Sequence, residues 1–189
     1  MKHNREFEIA WQGLKPGMHV FQYELDNRFI QEHSEGETDL KDLQAEVKVS
    51  FDKKTNFFML HFDVDGKVTV PCDRCGDEFQ LRLWDEFDLL IKLAGEDVEE
   101  MDEESDVVFI PRHETVIDIS NWLYEFVMLS VPLQRIHPEG AGGQPGCNPQ
   151  ALDLLHQLAE PEPEEKPANE IWKGLEALKD KTKSKRKSK

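Results

Sequence analysis

Apolar and polar residues alternate along most of the first half of the chain, the period of a strand with one buried face. Phe7, Ile9 and Trp11 alternate with Glu6, Glu8 and Ala10 and predict a first strand, which Gly13 and Pro16-Gly17 end. Phe21, Tyr23 and Leu25 predict a second. Arg28 to His33 reads as one helical turn, and Ser34 to Asp39 as a polar loop. The clearest pattern follows, with Ala45, Val47, Val49 and Phe51 on one face against Glu46, Lys48 and Ser50 on the other. Asp52 to Asn56 reads as a hairpin loop and Phe58, Leu60, Phe62 and Val64 as the returning strand. Asp65-Gly66 is expected to turn the chain before Val68 and Val70. Leu81, Leu83, Phe87, Leu89, Ile91 and Leu93 then recur every second residue, apart from Asp85.

In the second half a short apolar run, Val107 to Ile110, precedes a helical pattern. Asp118 can cap a helix in which Ile119, Trp122, Leu123, Phe126 and Val127 fit helical spacing, and Val131-Pro132 stops it. Tyr124, Met128 and Leu129 broaden its apolar face, so it is expected to lie across the sheet, with Trp122 in the core. His137 to Pro149 reads as a Gly/Pro loop, Gln150 to Leu158 as a short helix, and Ile171, Trp172, Leu175 and Leu178 as a small amphipathic helix. The expected fold is α+β: an antiparallel β-dominated sheet or barrel-like core with one long packed helix and a small C-terminal helix. The expected organisation is a β-rich domain over residues 1–158, a Pro/Glu linker over 159–168, and a helix with a basic tail over 169–189.

Charge divides this chain sharply. The formal net charge of −16 separates into +6 on residues 179–189 and −22 on the remainder. Residues 96–106 hold eight acids in eleven, which predicts an acidic loop unable to bury enough surface to fold alone. In the tail, Lys179, Lys181, Lys183, Lys185, Arg186, Lys187 and Lys189 have the charge density to neutralise several phosphates. The same residues also suit a solubilising tail lying back on the acidic body. No apolar run is long enough for a signal or membrane span, so a cytoplasmic protein is expected.

Only three cysteines are present, and two form Cys72-Asp73-Arg74-Cys75 directly after Pro71. Such a pair is a metal grip or a redox couple. A thioredoxin-like couple needs a helix after the first cysteine, whereas here Gly76 and an alternating run follow. Asp73, Asp77 and Glu78 are expected to raise the thiol pKa, with Arg74 opposing them. Both features favour a metal grip, which Cys147 and His137 could complete as a Cys3His set. Spacing alone leaves a chance C-x-x-C open. His61, His113 and His156 are weaker candidates. The chain has no Gly-rich phosphate loop, no G-x-S-x-G elbow and no H-E-x-x-H helix, and carboxylates are too numerous here to signal acid/base catalysis. A non-enzymatic protein without a small-molecule substrate is expected.

The order of these features, alternating strands into C-D-R-C, an acidic loop, D-I-S-N-W-L-Y-E-F-V-M-L-S-V-P, then H-P and a later cysteine, resembles the bacterial YceD family. Asn169-Glu-Ile-Trp172-Lys-Gly-Leu175-Glu-Ala-Leu178 before the lysines is similar to that family's closing helix. The resemblance implies a role in large-subunit ribosomal RNA accumulation, with ribosomal RNA or a pre-ribosomal large subunit as partner. It also implies a structural zinc site at Cys72, Cys75, His137 and Cys147. Two alternatives stand beside it: an acidic holding protein for a basic ribosomal protein, acting through residues 96–106 and 160–165, and a C-x-x-C dithiol redox protein.

Overall fold

In a computed structural model, residues 5–34, 36, 38–94, 107–139 and 146–158 are described. The acidic segment 96–106, the linker 159–168 and the helix and tail over 169–189 lie outside them. The chain divides into two units, Met1–Cys147 and Asn148–Lys189.

In the first unit the strands β2 (Gly17–Asp26), β3 (Lys41–Lys53), β4 (Phe57–Pro71), β5 (Glu78–Ala94) and β6 (Val107–Pro111) form one sheet in the order β2-β3-β4-β5-β6. The first four pair antiparallel, and β6 adds to β5 in parallel. Of the two expected forms, the sheet is found and the barrel is not, because β2 and β6 stand at opposite edges and do not pair with each other. A separate two-stranded ladder joins β1 (Glu8–Ile9) to β7 (Ile117–Asp118). The Phe7-Ile9-Trp11 alternation thus yields two residues of strand between the 3₁₀ turns Arg5–Phe7 and Trp11–Gly13, although all three side chains are buried.

Alternation decides which face of the large sheet is buried. Val47, Val49, Phe51, Phe58, Phe62 and Leu83 are fully buried on one face, each contributing roughly 1.5–3 kcal/mol by leaving water. Helix α1 (Asn27–His33) and helix α2 (Ser120–Leu129) supply apolar residues to the same core. The Phe126 ring of α2 stacks on Phe87 at 4.5 Å and meets Phe62 edge-on at 4.8 Å. Trp122 packs against the core, as expected. The anticipated long helix has ten residues: Asp118 Oδ1 accepts the Ser120 N–H at its start, and Ser130 ends it ahead of Pro132.

The Asp65-Gly66 turn is not formed, and β4 runs straight through it. Lys41 pairs with Thr69 and Gln44 with Lys67, so β3 carries one extra residue there, a bulge with Asp42 at φ 50. Beside it the β3 backbone presses onto Gly66, where any Cβ would collide with Gln44 and Ala45. Glycine is therefore a close-approach residue in a strand. The second unit contains helix α3 (Pro149–Leu158) among its described residues, matching the short helix expected at 150–158.

Candidate metal centre

The β4–β5 connection, Cys72 to Asp77, carries both paired cysteines on a strand-to-strand turn, as the alternation after Gly76 predicted. Its shape is set by the backbone. The Cys72 N–H donates to Asp77 O at 2.9 Å and the Gly76 N–H to Cys72 O at 2.9 Å. Gly76 takes φ 78, a left-handed conformation that suits glycine.

A second segment, which leaves α2, docks against this turn. The Asp73 N–H donates to Arg135 O at 2.8 Å, and the Arg135 N–H donates to the Asp73 carboxylate at 2.6 Å. The Arg135 guanidinium bonds Asp39 at 2.7 Å and lies 3.6 Å from Asp73. Two residues on, the His137 ring packs against Phe79 with centroids 4.6 Å apart. Gly146 permits the final approach, since a Cβ there would run into Pro138 O. These contacts bring Cys72, Cys75, His137 and Cys147 together, their ligand atoms all within 4.8 Å of one another. Cys72 and Cys147 are buried, while Cys75 and His137 are half-buried.

Distances inside the cluster discriminate among its possible chemistries. The Cys72 and Cys147 sulfurs are 3.8 Å apart, and Cys75 Sγ lies 3.5 Å from His137 Nδ1. A disulfide requires about 2.05 Å, and all three cysteines are free. Tetrahedral coordination with bonds of about 2.3 Å to sulfur and about 2.0–2.1 Å to nitrogen places two sulfurs about 3.8 Å apart, and sulfur and nitrogen about 3.6 Å apart. Both observed separations match edges of that tetrahedron, so the four residues could hold one metal ion.

Burial raises the Cys72 thiol, yet backbone N–H groups of Cys75, Arg74 and His137 together with the His137 side chain outweigh it. The thiol falls from its ordinary 9.0 to about 6. For Cys147, burial and then the hydrogen bond and charge of Cys72 push the thiol up. The expected acid-driven rise therefore fails at Cys72. The Asp73 carboxylate is turned to Arg135 and Glu78 to Lys41, while the turn's amides face the sulfur.

The remaining sequence candidates are not members of the cluster. His61 pairs with Asp88 at 2.8 Å on the open sheet face, and neither His113 nor His156 joins the four. Lys179, Lys181, Lys183, Lys185, Arg186, Lys187 and Lys189 fall outside the described residues. Arg135, Asp39 and Phe79 position the centre and carry no sequence signal of their own. Asp73 stood out only as a charge.

Fold and cluster together define a β-rich scaffold in which a Cys3His set joins a hairpin turn to the segment after the core helix. The chain belongs to the family described as large ribosomal RNA subunit accumulation protein YceD, which it matches over residues 60–179. That span runs from within β4 through the cysteine turn, α2, His137 and Cys147. No curated protein and no solved structure matches the chain.

Proposed function

We propose that the protein is a non-enzymatic assembly factor of the bacterial cytoplasm that supports accumulation of large-subunit ribosomal RNA. Membership of the YceD family carries this reading. The basic tail is assigned the contact with ribosomal RNA or the pre-ribosomal particle, because closely spaced cations release counterions from phosphates without reading sequence. Co-sedimentation of the full chain with large-subunit precursors is expected, and a chain ending at Asn169 should lose it. Unchanged co-sedimentation and unchanged ribosomal RNA levels in the truncated chain would remove the tail from the mechanism.

Within the same reading, Cys72, Cys75, His137 and Cys147 hold a structural zinc ion. Zinc prefers thiolate and imidazole donors in a closed tetrahedron, and the cluster's edge lengths and buried, unbridged thiols support that choice. Bound there, the ion would supply folding energy and no open coordination position for chemistry. Metal content by mass spectrometry, on protein purified under reducing conditions, should give one zinc per chain, lost in Cys72→Ser and diminished in His137→Ala. Metal-free wild type would refute the site.

The lowered Cys72 thiol favours one competing reading, a dithiol redox protein using Cys72 and Cys75. A metal ligand needs the same thiolate, and the Cys72 sulfur also meets that of Cys147 at 3.8 Å, a contact a Cys72–Cys75 couple does not call for. Insulin reduction by the metal-free protein, abolished in Cys75→Ser, would establish the redox reading.

A further inference from the structure

The five-stranded sheet has two faces, and the helices of its own unit, α1 and α2, pack on the core side. On the other, β2 to β5 present Glu24, Glu46, Asp65 and Trp84 as directly opposed neighbours in a single row. The next row places Asp63 opposite Glu86. Like charges directly opposite one another destabilise a sheet. Relief here is partial: Gln22 donates to Glu46 at 3.2 Å and Arg82 to Asp65 at 2.9 Å, while Lys48 stands beside Asp63 in the same row. The flanking row carries Lys67 opposite Arg82. Trp84 is 73% exposed, and beside it a recess of about 330 Å³ is lined by Asp63, Asp65, Arg82, Asp85 and Glu86. Toward the far end of the face Met18, Val20 and Met59 are also exposed.

We infer that this open sheet face docks a protein segment rich in arginine and lysine that also carries apolar residues. The partner's chemistry follows from the surface. Tryptophan attracts a guanidinium to its ring face while the carboxylates that line the recess with Trp84 can accept its N–H groups, a combination that suits arginine. An arginine held over Trp84 would also neutralise the opposed carboxylates of the two rows, so docking would relieve a repulsion built into the free sheet. The exposed methionines and Val20 give the segment's apolar residues somewhere to pack. Phosphates would meet these carboxylates with like charge, which disfavours RNA on this face.

Fluorescence anisotropy of a labelled oligoarginine peptide ending in leucines, titrated with the full chain, tests the assignment. Binding is expected to weaken with salt, about fivefold in Trp84→Ala and about tenfold in Asp63→Asn/Glu86→Gln, the double variant having the shallower salt slope. Changing Glu162, Glu164 and Glu165 to glutamine should leave affinity unaltered. Thermal unfolding establishes that each variant is folded. The inference is overturned if the peptide does not bind, if the face variants bind as tightly as wild type, or if the glutamine changes account for the loss. It is equally overturned if a labelled oligoribonucleotide, and not the peptide, responds to the face substitutions. Tail-dependent co-sedimentation can fail without touching any of these outcomes.

Discussion

Gly66→Ala isolates a clash whose sign is set by the structure. Gly66 lies in mid-strand and is not among the described glycines with positive φ, which are Gly17 and Gly76, so alanine suits its backbone. With free space around it, such a replacement would stabilise the protein by about 0.4–1 kcal/mol through the unfolded chain. Space is what Gly66 lacks: an added Cβ would sit 2.6 Å from Gln44 O, 2.7 Å from Ala45 Cα and 2.8 Å from Ala45 Cβ. Two of these atoms are backbone of a paired strand beside a bulge, so relief requires β3 to move. Overpacking of this kind costs about 1–3 kcal/mol, which after the unfolded-state gain leaves a net destabilisation centred on about 1.3 kcal/mol and reaching about 2.6 kcal/mol. Urea unfolding at fixed zinc concentration should show a lower midpoint with an unchanged slope. A midpoint equal to or above that of wild type would mean that β3 yields freely and that the bulge does not dictate glycine.

Other substitutions and conditions probe the cap, the turn and the cluster. Asp26 Oδ1 accepts the Phe29 N–H at 3.1 Å at the start of α1, so Asp26→Ala should lower stability by about 1 kcal/mol in the same urea assay, and Asp26→Asn by much less. In metal-free protein, Cys72 is a thiolate down to about pH 6 when folded and a thiol below about pH 9 when unfolded. The unfolded chain therefore binds the extra proton between those values, and this contribution to stability fades as pH falls from 9 to 6. Thiolate ultraviolet absorbance should titrate near pH 6 and lose that step in Cys72→Ser. Cys147, shifted upward, should titrate above 9.0. With the proposed zinc bound, a chelator should release hydrogen-exchange protection at the amides of Asp73 and Gly76 while β3 and β4 amides keep theirs. Uniform loss across the sheet would make the metal a requirement for the whole fold.

Period-two alternation made β2 to β5 legible, because each has one face on the core. It misled at two places for different reasons. Phe7, Ile9 and Trp11 report burial and not conformation, and 3₁₀ turns on either side of a two-residue ladder bury them equally well. Asp65-Gly66 is a strong local turn signal, but the need for glycine comes from the neighbouring strand's bulge, far away in sequence. The parallel pairing of β6 had no signal in its five residues. As for the cluster, Cys72 and Cys75 announced themselves by spacing, whereas His137 and Cys147 became partners through the Asp73–Arg135 contacts, which join residues sixty-two apart.

Those contacts bear on what the cluster is for. β4 and β5 pair continuously from Phe57 opposite Lys92 to Pro71 opposite Glu78, so the hairpin beneath the cysteine turn is already closed by its own ladder. A metal that tied only Cys72 to Cys75 would add little order. A metal that also took His137 and Cys147 would instead fasten the chain leaving α2 to the end of the sheet, where its described residues lack regular structure and offer few apolar anchors. The Asp73–Arg135 hydrogen bonds bring the two segments into register, and Phe79 sets the imidazole beside Cys75. In this arrangement hydrogen bonds establish the approach and a metal bound by the four residues would lock it, so the positioning residues belong to the candidate centre as much as the cysteines do.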